Sequence, residues 1–220
     1  MFLLVDKPKG MTSHDVVDRL RTITGERRVG HAGTLDPNAT GLLIVGIGRE
    51  STKKLGKISK DTRKTYMAEI VLGEERDTDD SEGKVVLKAK GVLPPGRKEV
   101  VKILREFLGE QEQIPPKYSA IKLKGKKAYE LARKGMKFTL IPRKVFVHRI
   151  NQIRYKYPNL EIEVEVSAGT YIRALARDIG RKLGIGAYLS ELRRTKIGEY
   201  FVEDAVSLEK LTRENWKRFV

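Results

Sequence analysis

The alternation over residues 159–167 constrains the fold more than any other stretch of the chain. Leu160, Ile162, Val164 and Val166 alternate with Glu161, Glu163 and Glu165. Successive side chains of a strand point to opposite faces, so this strand has one apolar face and one wet face. Strands of all-parallel sheets are buried on both faces, so the sheet is expected to be mixed and largely antiparallel. A second alternation runs over 64–73, with Tyr66, Ala68, Ile70 and Leu72 on one face and Glu69 on the other. Tyr66 is therefore expected at a strand start, facing inward, where a tyrosine commonly serves the core. Helical stripes fall between the strands: Val16, Val17, Leu20 and Ile23; Val100, Val101, Leu104, Phe107 and Leu108, stopped by Gly109; Ile172, Leu175, Ala176, Ile179 and Leu183, with Gly184 as a C-cap. The class read from this is α+β.

Within that frame, residues 30–44 hold one carboxylate, Asp36, among Gly30, Gly33, Gly41 and Pro37, followed by the apolar run Leu42 to Val45. Pro37 biases Asp36 toward an extended backbone. Loops on a rigid scaffold are common places for chemistry, although Asp36-Pro37 taken alone reads as a turn. Upstream, 2–5 read as a short buried strand and 6–10 as a turn. Thr12 to Asp15 fit a capping box. Ser13, His14 and Asp15 are the residue types of a catalytic triad, but neighbours at a helix start cannot form its geometry with one another. Downstream of a third strand at 41–48, residues 49–63 read as a short helix and loop. The acidic loop 74–83 lacks the glycine position and the bidentate Glu of a calcium loop. Residues 84–90 read as a strand. The tail from 188 to 211 reads as a helical turn, a strand and a short helix from about Ser207. No repeat or linker is visible, which favours a single domain.

Charge narrows the function. The net charge is +16, and segment 117–156 carries 9 Lys and 4 Arg against Glu130 as its one acid. Such clustering is the electrostatic footprint of a polyanion partner, most simply nucleic acid. Basic residues interleave with Tyr118 and Tyr129 there, a pattern suited to phosphate contacts and base stacking. No apolar run approaches the roughly 20 residues of a bilayer span, and the start is too short for a signal peptide. No cysteine is present and histidine occurs three times, so neither a disulfide framework nor a zinc site is expected. The expected setting is intracellular and cytoplasmic.

These stretches together resemble the TruB-type tRNA pseudouridine synthases. The resemblance rests on LVDKPKGMTSHDVV, VGHAGTLDPNATGLLIVGIG, KTYMAEIVLGEERDTDDSEG, QIPPKYSAIKLKGKKAYELARKG and VSAGTYIRALARDIGRKLGIGAYLSELRRTKIG, five motifs in order over nearly the whole chain. It implies a pseudouridine synthase fold over 1–220, including a basic insertion at 115–145 that grips the T-arm, and no complete C-terminal PUA domain. It implies an isomerase that converts uridine-55 in the T-loop of tRNA to pseudouridine without cofactor or metal. The partner is tRNA, and neither a membrane nor an obligate protein partner is implied for what is expected to be a monomer.

The same resemblance implies the site. Asp36 is the nucleophile, with attack at the sugar and attack at the pyrimidine ring both open. Tyr66 and Arg173 complete the catalytic set. His31, Tyr171, Leu192, Lys124, Lys126 and Lys127 contact substrate or RNA. His31 is expected to fill the space left by the flipped base, and Arg173 to keep Asp36 charged and oriented. A phenol with a pKa near 10 is a poor base at neutral pH, so stacking is the better role for Tyr66. Two rivals remain at this level. One is a non-catalytic tRNA-binding or tRNA-folding protein using the same surface. The other is a glycoside hydrolase, which needs a second placed carboxylate.

Overall fold

The computed structural model describes residues 1–123 and 125–220. In chain order the elements begin with β1 (Phe2–Lys7), α1 (Ser13–Thr24), β2 (Val29–Ala32), β3 (Thr40–Ile47), α2 (Arg49–Asp61) and β4 (Lys64–Leu72). There follow β5 (Glu74–Arg76), β6 (Val85–Lys88), α3 (Arg97–Glu106), β7 (Gly109–Gln113), β8 (Lys122–Leu123), β9 (Lys126–Lys127) and α4 (Ala128–Arg133). The last are β10 (Arg143–Lys156), β11 (Asn159–Val166), α5 (Ile172–Lys182), β12 (Ala187–Ile197), β13 (Tyr200–Phe201) and β14 (Val206–Ser207), with short 3-10 turns near the end. The chain forms two compact units, 1–67 with 192–220, and 68–191. Both β4 and β12 contribute residues to each.

In the first unit β3 is antiparallel to β1 and β2, while β14 runs parallel to β1 and β12 parallel to β3. Leu3, Val5, Leu43 and Val45 face one way, against Val16, Val17, Leu20 and Ile23 of α1 and Trp216. Leu42 and Ile44 face the other way, against Leu55 of α2, Ile197 and Val202. A strand covered on both sides must be apolar at nearly every position, which is why β3 reads as a continuous apolar run. Helix α1 starts at the capping box between Thr12 and Asp15 and stops at Gly25, which adopts a left-handed φ of 71°.

In the second unit β11 is antiparallel to β10, and β10 is antiparallel to β7. Leu160, Ile162, Val164 and Val166 are all buried, as the alternation requires. Taken over both units, the described strand pairs are mixed and largely antiparallel, as expected. The basic segment has a small core of its own: Ile121, Ala128 and Leu140, joined by Leu123, Phe138 and Tyr171.

Some local readings change. Asp6 and Lys7 belong to β1, not to a turn, because their backbones pair with Leu42 and Gly41. Residues 187–197 form one strand with no helical turn. Leu, Glu and Arg there favour helix intrinsically, but pairing within the sheet decides the backbone, as the register of Arg193 and Arg194 with Thr40 and Gly41 shows. The element expected from Ser207 is a 3-10 turn over Leu208–Lys210. Leu108 is exposed, because α3 ends at Glu106 and Gly109 turns the chain into β7 at a φ of 89°.

Candidate active site and nucleic-acid interface

The Asp36 loop links β2 to β3, and its backbone is held on both sides of the carboxylate. Before it, the Arg194 guanidinium donates through Nη2 to Gly33 O at 3.0 Å. At the preceding residue, Ser13 Oγ accepts from Leu35 N at 2.8 Å and donates to Leu35 O at 3.1 Å. After it, Pro37 O accepts from Lys7 Nζ at 3.1 Å and from Gly10 N at 2.9 Å. Arg194 Nε also donates to Leu42 O at 2.8 Å, where β3 begins. Asp36 itself is half-buried and its carbonyl accepts from Ala39 N at 3.0 Å, closing a tight turn.

The clamps are themselves buried cations. Lys7 is fully buried and Arg194 is 1% exposed. Lys7 Nζ donates to Pro8 O and Met11 O in addition to Pro37 O. Burial pushes Lys7 down to about 8; the Asp36 carboxylate opposes that shift and Arg194 adds to it. Lys64, at the start of β4, caps the end of α2 through Ser59 O and Thr62 O, and burial pushes it to about 8 as well. Lys7, Lys64 and Arg194 thus all donate to backbone carbonyls.

His31 lies on β2 opposite Val45 and is half-buried. Burial first, then the Arg194 and His14 charges, lower its pKa, so the imidazole is neutral at pH 7. Its Nδ1 is buried without a hydrogen-bond partner. Tyr66 faces inward near the start of β4 and is 8% exposed. Leu192 sits on β12, half-buried, one residue before the Arg193–Thr40 register pair. The glycines of the loop have internal work. A Cβ on Gly41, whose φ is 100°, would lie 2.3 Å from Arg194 O, and one on Gly30 would lie 3.1 Å from Leu55 Cδ1. Close approach of two backbones therefore fixes Gly41, and packing on α2 fixes Gly30.

In the second unit, the arginines of α5 recur every fourth residue and so share a face. Arg173 Nη1 donates to Thr78 O at 3.0 Å and to Asp80 Oδ2 at 3.2 Å, and Nη2 donates to Tyr118 O at 3.1 Å. Arg177 pairs with Asp79 at 2.9 Å and donates to Ile114 O at 2.8 Å. Arg181 grips Glu75 with two bonds of 2.9 and 2.8 Å. The acidic loop is thus the partner of this helix, and Asp79 and Asp80 are engaged there. Asp79 is the one non-glycine residue with positive φ among the described residues, at 65°. Burial raises its carboxyl to about 6, against the pull of Arg177, Arg173 and Arg181.

Tyr171 precedes α5. Its N–H donates to Gln113 Oε1 at 2.8 Å and its carbonyl accepts from Gln113 Nε2 at 3.1 Å. Lys126 and Lys127 are exposed on the β8–β9 hairpin, and Lys127 Nζ lies 5.4 Å from the Tyr129 ring centre. Lys124 lies outside the described residues. Asp36, His31, Tyr66 and Leu192 therefore belong to the first unit, and Tyr171, Arg173, Lys126 and Lys127 to the second. No group of three or more His, Asp or Glu side chains among the described residues is placed to hold a metal ion.

Sequence reasoning missed Lys7, Ser13, Arg194, Gln113 and Arg177. Period-2 reading of β1 puts Lys7 on the same inward face as Leu3 and Val5, so its burial was legible. Positions 173, 177 and 181 were legible as one helix face. Arg194 had no such signal, because the burial of β12 is irregular.

Comparison with known proteins fits this arrangement. Residues 21–172 match the TruB family pseudouridylate synthase N-terminal domain, and 173–218 match the tRNA pseudouridylate synthase B C-terminal domain. The chain is 47% identical over 221 residues to tRNA pseudouridine synthase B of Aquifex aeolicus, covering 99% of this chain and 76% of that one. It is 45% identical to the protein of that name from Thermosipho melanesiensis, with coverage of 97% and 69%. Among solved structures it resembles a chain of a Cbf5-Nop10-Gar1 complex, with TM-score 0.74, 30% identity, and coverage of 98% of this chain and 55% of that one. It also resembles a chain of an H/ACA RNP bound to a substrate RNA containing 2'-deoxyuridine, with TM-score 0.71, 29% identity, and coverage of 99% and 54%. The chain thus spans about half the length of those two. With family matches running from residue 21 to 218 and relatives of this identity, the chain belongs to the TruB family of pseudouridine synthases.

Proposed function

We propose that the protein isomerises a uridine of tRNA to pseudouridine, at uridine-55 of the T-loop, with the Asp36 carboxylate as nucleophile. The bond from the sugar to uracil N1 breaks, the base turns, and a bond from the sugar to C5 forms. The proton on C5 leaves and N1 gains one, so no electrons are exchanged with an outside agent. The observation that carries the reading is the Asp36 loop. Its backbone is fixed at Gly33, Leu35 and Pro37 by buried donors, while Asp36 as a residue is half-buried. A nucleophile held to one geometry removes entropy from the barrier.

The other roles follow from residue chemistry. Flipping the base costs a few kcal/mol of stacking. A neutral, half-buried His31 ring suits the vacancy left in the RNA, since it presents a flat apolar surface without the hydration of a cation. Tyr66 offers a face for the uracil, and Leu192 a wall. By the family pattern Tyr171 and Arg173 act on the same nucleotide, with Arg173 holding Asp36 charged. The exposed Lys126 and Lys127, together with Lys124, meet phosphates of the T-arm. In this reading 1–220 act as one catalytic unit with 115–145 as the grip, working as a monomer in the cytoplasm. Among the described residues no helix is long and apolar enough to cross a membrane.

The test uses unmodified tRNA transcript tritiated at uracil C5. The wild type is expected to release tritium and Asp36→Asn to bind the transcript without release, a loss of at least about 1,000-fold for removing a covalent nucleophile. Appreciable release by the variant would remove Asp36 from the role. Binding without release by the wild type would leave a tRNA-binding protein.

A further inference from the structure

The Arg194 side chain is almost completely buried in the first unit, yet it is held by backbone carbonyls and not by an acid. Its guanidinium donates to Leu42 O at 2.8 Å and to Gly33 O at 3.0 Å. Burying a charge away from water is costly unless it is fully hydrogen-bonded, and pairing with neutral carbonyls leaves the charge itself in place. The positive charge is felt nearby, since Arg194 helps lower both His31 and Lys7. A core position filled only for packing would more cheaply hold an apolar side chain. What Arg194 does hold is defined by its two acceptors. Gly33 is three residues before Asp36 and Leu42 six residues after it, so one rigid fork closes the loop at its two ends. The backbone of Arg194 takes part as well, because its close approach to Gly41 leaves no room for a Cβ there.

We propose that Arg194 is a positioning residue for the isomerisation: it fixes the span from Gly33 to Leu42 and thereby sets the reach and direction of the Asp36 carboxylate. This rests on the reading of Asp36 as nucleophile. Two features of the fold strengthen it. Arg194 is two residues along the same strand from Leu192, so one rigid element carries both a pocket residue and the loop clamp. The clamp also needs a planar fork with separated donors. A lysine offers one donor centre and cannot reproduce both hydrogen bonds in the same geometry.

The experiment compares wild type, Arg194→Lys, Arg194→Ala and Asp36→Asn, each in the full chain. Single-turnover tritium release from saturating tRNA transcript is measured beside the Kd for that transcript and the thermal melt. Arg194→Lys is expected to release tritium about 100-fold more slowly, the size of a misplaced reacting group, with Kd close to wild type and a melt that is lowered but stays cooperative. Arg194→Ala is expected to lose at least as much and to regain rate in millimolar methylguanidinium without a matching rise in its melt. Wild-type release by Arg194→Lys overturns the proposal. So does loss of rate in step with Kd and melt in both variants, or loss of a cooperative melt in both, since the role is then structural. Release by Asp36→Asn sinks the nucleophile reading instead, and that outcome is scored without reference to Arg194.

Discussion

The two units hold their cations in different ways. In the first, Lys7, Lys64 and Arg194 donate to backbone carbonyls around and beside the Asp36 loop. In the second, Arg173, Arg177 and Arg181 meet Asp80, Asp79 and Glu75. Carbonyl partners satisfy the donors but cancel no charge, so the first arrangement keeps a positive field around Asp36, the proposed nucleophile. Carboxylate partners cancel the charge and tie segments distant in sequence to one helix. On the proposed reading the first pattern supports the Asp36 loop, while the second, at Arg177 and Arg181, ties the acidic loop to α5. The same arginines also tie the root of the basic segment to α5, here through carbonyls: Ile114 O accepts from Arg177 and Tyr118 O from Arg173.

The comparison breaks most visibly at Arg177. Its guanidinium is 9% exposed and Asp79 is 10% exposed. Replacing Arg177 with Met removes one partner and leaves Asp79 buried, which costs about 3–5 kcal/mol for such pairs. Denaturant melts should show that loss. A variant as stable as wild type would mean that the α5 ladder does not assemble the second unit.

A smaller effect separates the units by pH. Asp79 holds its proton up to about pH 6 in the fold and only to the ordinary 3.8 when unfolded. Between those values the native state binds more protons, so stability falls as pH rises across the window, by about 3 kcal/mol in all. Lys7 and Lys64 behave in the other direction. Each gives up its proton at about 8 in the fold against 10.5 unfolded, so between about 8 and 10.5 the unfolded chain binds more protons. Their contribution to stability therefore rises with pH there. Melts over pH 4–10.5 should lose the acid slope in Asp79→Asn and reduce the alkaline slope in Lys7→Met. Slopes unchanged by those substitutions would show that the pairs, not burial, control these groups.

Much of this was legible in the sequence, and the gaps have physical causes. Alternation gave β11 and the inward face of β4 because each has one wet face. The continuous apolar run of β3 fitted its two covered sides. The Asp36 loop was legible as a polar turn before a buried strand, but its clamps were not, since hydrogen bonds from Ser13, Lys7 and Arg194 cross 22, 30 and 161 positions of chain. The acidic loop was legible as something other than a calcium loop. Its true partners stand about a hundred residues away on α5, and local sequence carries no trace of that pairing. Strand β12 misled because local helix preference lost to sheet pairing.

The smallest expected effect tests the surface rather than the buried charges. Lys126 and Lys127 are exposed on a two-stranded hairpin, so neither is held by the packing that defines either unit. Replacing Lys124, Lys126 and Lys127 with Gln removes three positive charges and should leave the melt unchanged. If these lysines meet phosphates, the slope of log Kd against log salt should flatten by about 2, since each neutralised phosphate supplies near 0.7 on single-stranded RNA and near 0.9 on a duplex. Affinity should fall about tenfold at moderate salt, while single-turnover tritium release at saturating transcript stays near wild type. That split is what separates a grip from a nucleophile loop. An unchanged salt slope would place the RNA on another basic face, whereas a fall in the saturated rate would mean that the hairpin helps to set the chemistry proposed for the Asp36 loop.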